Sequence, residues 1–216
     1  EQSLQRLRTD YIDLYITHWQ DETTPVAQTM GTLLELKAQG KIRAIGISNA
    51  SPETLAEYLR YGPVDAIQER YSLLDREIEA ALVPLSQAHN VAVLGYSSLG
   101  QGLLAGPLDP QRQFTGDDQR ATDPRFSAAN RSSFAAFFQE LNPLRERRWC
   151  SFGQLMIAWT IARSTVSVAL CGARTRAQAA ENAVAGTIEL HAGDLALIDA
   201  AAGRHLSHLN HQAVAA

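Results

Sequence analysis

Gly40-Lys41-Ile42-Arg43-Ala44-Ile45-Gly46-Ile47-Ser48-Asn49-Ala50-Ser51-Pro52-Glu53 joins an apolar, β-branched run directly to the opening of a helix. Residues 42–47 read as a strand. Ser51-Pro52-Glu53 reads as a helix start: a capping hydroxyl, a proline suited to the first turn, and an acid near the positive end of the helix dipole. Leu55, Tyr58 and Leu59 recur at helical spacing, and Gly62-Pro63 stops the run.

The same strand-then-helix unit recurs on both sides. Upstream, residues 11–18 are rich in Tyr, Ile and Leu and predict a strand. A helix over 25–39 follows, with Thr24 as its expected cap and Gly40 at its exit. Residues 1–7 read as the end of another helix, so the chain is expected to begin part-way through a larger protein. Downstream, strands are expected at 64–68, 91–96 and 166–171, and helices at 77–90, 152–162 and 175–185, with a last short helix at 194–202. Ser151 and Gln154 form a capping-box pattern at the head of the 152–162 helix.

Five β-then-α units in a row imply a parallel sheet with helices outside it. No Gly-x-Gly-x-x-Gly follows any of the strands, which disfavours an open dinucleotide-binding sheet. The expected fold is therefore α/β, a (β/α)8 TIM-barrel type represented by a partial barrel of about five β/α units. It is read as one domain over 1–216, with 205–216 a frayed tail. Five strands cannot close an eight-stranded barrel, so two parallel edges are expected to lack partners. Residues 100–131 show little periodicity and predict a long loop, placed after a strand and so on the face where barrel sites lie.

Composition narrows the function. The 216 residues are 45% hydrophobic, an ordinary globular value. A net charge of −4 with no basic stripe argues against nucleic acid. No apolar run approaches the roughly 20 residues of a membrane helix, and no leader pattern opens the chain. Cys150 and Cys171 are distant and unpatterned, and read as incidental thiols of a reducing, cytoplasmic setting. His205, His208 and His211 fall short of a metal-ligand pattern, so no metal is expected. Trp149 and Trp159 read most simply as core.

The chemistry gathers where the strands end. The five predicted strands run out into Thr17-His18-Trp19, Ser48-Asn49, Gln68-Glu69-Arg70-Tyr71, Tyr96-Ser97-Ser98 and Gly172-Ala173-Arg174-Thr175. Hydrogen-bonding amides (Asn49, Gln68), a flat ring (Tyr96) and a cation (Arg174) suit a ligand with an amide, an aromatic ring and a phosphate. Taken alone, each has a plainer reading: His18 a strand-end histidine, Tyr96 a core ring, Arg174 a solvated helix-start residue, Gln178 the capping-box partner of Thr175.

Four motifs in order carry a more specific resemblance. Asp10-Tyr11-Ile12-Asp13-Leu14-Tyr15-Ile16-Thr17-His18-Trp19 is similar to the fourth strand of aldo-keto reductases. Gly40 to Asn49 resembles their Gly-Lys-x-Arg-x-Ile-Gly-x-Ser-Asn signature. Tyr96-Ser97-Ser98-Leu99-Gly100-Gln101-Gly102-Leu103-Leu104 resembles their Tyr-Ser-Pro-Leu-x-x-Gly-Leu-Leu. Gly172-Ala173-Arg174 with Gln178, Glu181 and Asn182 resembles their phosphate and adenine motif. Within the family the chain is most similar to aryl-alcohol-dehydrogenase-like and bacterial stress-protein-like reductases.

The resemblance implies an NADP(H)-dependent reduction of a small-molecule aldehyde or ketone. It implies that His18 is catalytic, orienting and polarising the substrate carbonyl. Ser48, Asn49 and Gln68 would hold the nicotinamide carboxamide, and Tyr96 would stack on the ring. Ser97, Leu99, Gly100 and Gln101 would follow the pyrophosphate, with Arg120 from the long loop folding over the cofactor. Gly172 would belong to the cofactor-binding motif, Arg174 would face the adenosine 2′-phosphate, and Gln178, Glu181 and Asn182 the adenine end. The family's Asp, Tyr and Lys belong to earlier strands and have no match here. Two departures stand out: Ser98 replaces a usual Pro, and Pro107 a usual Lys. Two rival readings are a non-catalytic cofactor-binding regulatory subunit of the same fold and an unrelated phosphate-binding barrel such as an isomerase. The first turns on whether Asp, Tyr and Lys precede Glu1. The second predicts no fluorescence change with NADPH.

Overall fold

The computed structural model describes residues 1–209. The chain divides into two compact units, Glu1–Glu69 with Glu77–Leu94, and Arg70–Arg76 with Gly95–Ala216.

The first unit runs α1 (Gln2–Leu7), β1 (Ile12–Thr17), α2 (Val26–Ala38), β2 (Ile42–Ser48), α3 (Pro52–Tyr61), β3 (Ala66–Arg70), α4 (Leu82–Ala88) and the start of β4 (Ala92–Tyr96). β1 and β2 pair in parallel with Thr17 opposite Ile47, and β2 and β3 with Ser48 opposite Gln68. The Ala92 N–H donates to the Asp65 carbonyl at 3.0 Å, which sets β4 beside β3. Each strand sends alternate residues to the helices. Ile45, Ile47, Ile67 and Val93 from the strands meet Met30, Leu33, Leu55, Tyr58 and Leu82 from the helices in one buried cluster. Gly46 permits the close approach of β1 and β3: a Cβ built there would lie 2.9 Å from Ile16 Cγ1 and 3.3 Å from the Ala66 carbonyl oxygen.

The start of α3 follows the local chemistry, and that of α2 does not. The Ser51 hydroxyl accepts the Thr54 N–H at 3.1 Å, with Pro52 in the first turn of α3. Thr24 does not cap α2. Pro25 holds that position without a side-chain bond, and the Thr24 hydroxyl donates instead to Asp21 at 2.7 Å. The helix expected over 77–90 is also interrupted. Ala81 sits at φ −138°, outside the helical region, leaving a 3-10 turn at Glu77–Glu79 and then α4.

The second unit contains the end of β4, α5 (Ala128–Arg147), α6 (Phe152–Ala162), β5 (Val168–Ala169), α7 (Arg176–Val184) and α8 (Ala192–His205). Gly95 and Tyr96 have neighbours on both sides: the Tyr71 N–H donates to the Tyr96 carbonyl at 3.0 Å, and the Leu170 N–H to the Gly95 carbonyl at 2.7 Å. Among the described residues the strands thus follow the order β1-β2-β3-β4-β5, a parallel sheet. β5 is shorter than the run 166–171 expected for it.

The loop expected over 100–131 is structured. It holds 3-10 turns at Gly100–Gly102, Gln119–Ala121 and Pro124–Phe126 before α5 begins. α5 is a helix that the count of β-then-α units left out. Its Phe134, Phe137, Phe138, Leu141 and Leu144 recur at helical spacing and are buried. α6 opens on the expected capping box between Ser151 and Gln154. Trp159 is fully buried and stacks on Tyr71 with ring centroids 6.0 Å apart. Trp149 is not core: it is 96% exposed, at φ 51° in the turn after α5. The tail expected from 205 is helical as far as it is described: a 3-10 turn spans Ser207–Leu209, and Leu206 and Leu209 are buried. His205 pairs with Glu140 at 2.8 Å, and His208 contacts Asn130 at 3.3 Å. His211 and the rest of 210–216 lie outside the described residues.

Candidate functional site

Two sets of polar residues stand out, one in each unit. In the first unit, the ends of β1, β2 and β3 are in register, so their next residues emerge side by side. The Ser48 hydroxyl is buried and donates to the Gln68 carbonyl at 2.8 Å, with the Gln68 Oε1 at 3.4 Å. Asn49 Nδ2 donates to the His18 carbonyl at 3.0 Å and to Ser48 Oγ at 3.2 Å. The Asn49 N–H donates to the Gln68 carbonyl at 3.2 Å. His18, Ser48, Asn49 and Gln68 therefore form one hydrogen-bonded set, with the His18 ring exposed. Asn49 has φ 55°, a left-handed conformation in which asparagine is among the better tolerated residues.

Glu69 supports that set from behind, a role the sequence reading missed. Its side chain is 94% removed from solvent, at 6% exposure, and its Oε1 accepts the Ala50 N–H at 2.9 Å. Burial raises its carboxyl to about 7, with the amides of Ala50 and Asn49 pulling the other way. The only trace in the sequence was an acid next to Gln68 in a strand, where a charged residue is out of place.

In the second unit, a cleft of about 1580 Å³ is lined by Tyr96, Ser97, Leu99, Gln101, Arg120, Gly172, Arg174, Gln178, Glu181 and Asn182. This exceeds the roughly 300–1,000 Å³ of an ordinary small-molecule site. Ten of the residues singled out in the sequence thus share one wall system. Gly100 does not line it; it is buried at φ 53° against Leu74 and lets the chain turn there. Ser97 at φ 60° and Gln101 at φ 56° are left-handed as well, a conformation that costs energy and concentrates at ligand sites. Gln101 Oε1 is buried and has no hydrogen-bond partner among the described residues.

Local bonds shape the far end of this cleft. The Thr175 hydroxyl caps α7 by accepting the Gln178 N–H at 3.2 Å. The Gln178 side chain, however, accepts from the Arg174 N–H at 2.8 Å rather than completing a box with Thr175. Asn182 Nδ2 donates to the Gly172 carbonyl at 3.2 Å. Glu181 accepts the Ser151 hydroxyl at 2.7 Å, tying α7 to the start of α6. Gln178 and Asn182 thus hold the Gly172–Arg174 turn, and Arg174 itself is exposed. Asp118 and Cys171 line the same cleft. Burial raises the Cys171 thiol, which keeps it in the unreactive protonated form.

Beneath the cleft, Arg125 is 3% exposed and bridges Asp123 at 3.2 Å and Asp75 at 3.1 Å. Asp75 also accepts the Ser72 hydroxyl at 2.8 Å. This cluster anchors the turn at Pro124–Phe126.

The model of the Aldo/keto reductase family matches residues 1–202. The NADH-specific methylglyoxal reductase of Escherichia coli (strain K12) is 40% identical over 199 residues, covering 91% of this chain and 60% of that protein. Aldo-keto reductase YhdN of Bacillus subtilis (strain 168) is 37% identical over 179 residues, 82% of this chain and 54% of that protein. Among solved structures, a glycerol dehydrogenase from Gluconobacter oxydans superposes with a TM-score of 0.89 at 34% identity, covering 94% of this chain and 62% of that one. An aldo-keto reductase from Klebsiella pneumoniae in complex with NADPH gives a TM-score of 0.71 at 29% identity, with 92% and 61% covered. The chain spans between 54% and 62% of the length of these four proteins. The fold is accordingly the α/β TIM-barrel type, represented by a partial barrel, as expected from the sequence.

Proposed function

The chain belongs to the aldo/keto reductase family, and we propose that it serves an NADPH-dependent reduction of a small aldehyde or ketone to an alcohol. The observation that carries this reading is the hydrogen-bonded set of His18, Ser48, Asn49 and Gln68 at three adjacent strand ends. It offers amide and hydroxyl groups in fixed positions beside an exposed imidazole.

The residues of the cleft fit a dinucleotide. Gln101 Oε1 is an acceptor without a donor among the described residues. A ribose hydroxyl supplies one, and rotating the amide end for end offers a donor to a pyrophosphate oxygen instead. Arg174 on the cleft wall matches a phosphate and supports NADPH as the donor. The NADH-specific Escherichia coli relative marks the opposite preference within the family.

Bound NADPH supplies the hydride that adds to the carbonyl carbon. Ser48, Asn49 and Gln68 orient the carboxamide and so decide which face of the ring meets the substrate. In the second unit, Tyr96 would offer a flat aromatic face to the cofactor. His18 donates a hydrogen bond to the substrate oxygen and favours the charge that grows there. The proton delivered to that oxygen comes from a tyrosine outside this chain, as the family resemblance implies. The chain alone is therefore inactive, and an N-terminally extended form carrying Asp, Tyr and Lys is active. We place the enzyme in the cytoplasm. Among the described residues no helix is long and apolar enough to cross a membrane.

The test is NADPH consumption with an aromatic aldehyde, measured for this chain and for a form extended to the length of its relatives. Turnover by the extended form alone is the expected result. Turnover by this chain alone overturns the assigned division of labour. Cofactor binding without turnover by the extended form favours a regulatory subunit.

A further inference from the structure

Asp118 lines the cleft with Asp117 and Glu181 and with the cations Arg112, Arg120 and Arg174, and it is bonded to Arg120. Its Oδ1 accepts the Arg120 N–H at 3.1 Å, which caps the turn at Gln119–Ala121. The same carboxylate takes both arms of the Arg120 guanidinium: Nε donates to Oδ1 at 2.8 Å and Nη2 to Oδ2 at 2.5 Å. Arg120 lies over the Phe114 ring at 4.5 Å, so its planar fork is held on one face as well. The pair is only partly exposed, Arg120 at 18% and Asp118 at 30%. Arg174 lines the same cleft.

We propose that Asp118 is a specificity-determining residue: its carboxylate occupies Arg120 as an internal anion, and so disfavours a dinucleotide carrying a 2′-phosphate relative to one carrying a 2′-hydroxyl. The proposal rests on the cofactor reading above and refines it. The Arg120 fork is already satisfied in a bidentate pair, so a phosphate that needs Arg120 must displace Asp118. The displaced carboxylate then faces a group bearing about 1.5 to 2 negative charges. Like charges in close juxtaposition oppose binding. A ribose hydroxyl, by contrast, can donate to the carboxylate and leave the pair intact. The negative charge is present throughout the working pH range. Hydrogen bonding from Arg120, with the charges of Arg120 and Arg174 adding to it, holds the Asp118 carboxyl down at about 2. On this account Arg174 and Asp118 pull the preference in opposite directions.

The experiment titrates the whole chain calorimetrically with 5′-AMP and 2′,5′-ADP, which differ only in the 2′-phosphate. The quantity read is the ratio of the two dissociation constants on each protein. In Asp118→Asn that ratio is expected to move about fivefold or more toward 2′,5′-ADP. Asp118→Glu, which keeps the charge, should restore the wild-type ratio. Arg174→Gln should move the ratio the other way, and Asp118→Asn should gain less on that background. If Asp118→Asn weakens both nucleotides equally, Asp118 merely holds the loop and the proposal is overturned. A ratio that stays at its wild-type value overturns it too. If wild type binds neither nucleotide, the cofactor reading falls and this inference with it.

Discussion

Asn49, Ser97 and Gln101 each carry a left-handed backbone on a residue other than glycine, and the resemblance assigns all three to the cofactor. Such a conformation persists only where neighbours impose it. For Asn49 the neighbours are visible: the Gln68 carbonyl on its N–H, and His18 and Ser48 on its amide. The buried Glu69 holds the next amide, that of Ala50. Glu69 also makes a pH prediction. An unfolded glutamate ionises near 4.3, whereas burial raises this one to about 7. The folded state therefore binds the extra proton. The stability tied to it is present below about 4.3 and is lost as pH rises toward 7. A shift of this size corresponds to roughly 3 kcal/mol. Glu69→Gln keeps an acceptor for Ala50 without the charge. Its thermal midpoint should rise relative to wild type between pH 5 and pH 8, and a difference that does not change with pH refutes the assignment. His18, Ser48, Asn49 and Gln68 were legible as polar residues ending apolar strands. The roles of Glu69 and Asp118 were not, because they depend on which amide or guanidinium folds against them.

Gly46 illustrates what an element demands. The strand pattern of residues 42–47 was plain, yet nothing in it distinguishes Gly46 from a position that tolerates alanine. Only the pairing of β2 with β1 on one side and β3 on the other brings Ile16 Cγ1 and the Ala66 carbonyl oxygen within reach of a Cβ there. Gly46→Ala should destabilise the chain by about 1–3 kcal/mol, the usual range for an overpacked site. Urea unfolding measures it, and a loss below about 0.5 kcal/mol would mean that β1 yields. Helix starts were legible for a local reason: Ser51 and Ser151 bond amides three residues away. Thr24 failed by the same logic. Asp21 offers its hydroxyl a charged acceptor at 2.7 Å, and the helix amides do not compete. α5 was missed although its apolar spacing is regular. Read against a strict alternation of strand and helix, it had no place, and Pro143 within it signals a stop.

At the scale of the molecule, the second unit rests on a contact between distant segments. Arg125 joins Asp123, two residues away, to Asp75, fifty residues away. Arg125→Ala leaves two buried carboxylates facing each other without their cation. The expected loss is about 3–5 kcal/mol, typical of breaking a buried pair from one side. An unfolding midpoint close to wild type would refute it. The sequence by itself determined the α/β class, the partial barrel of parallel strands, the family and the polar residues at strand ends. Those follow from periodicity, capping chemistry and motif order, all of which act over a few neighbouring residues. Tertiary structure alone decided that 100–131 is built on short turns, that Trp149 is exposed while Trp159 is buried, and that Glu69, Arg125 and Asp118 are engaged. Burial and charge pairing are set by residues far apart in the chain, so no local pattern encodes them.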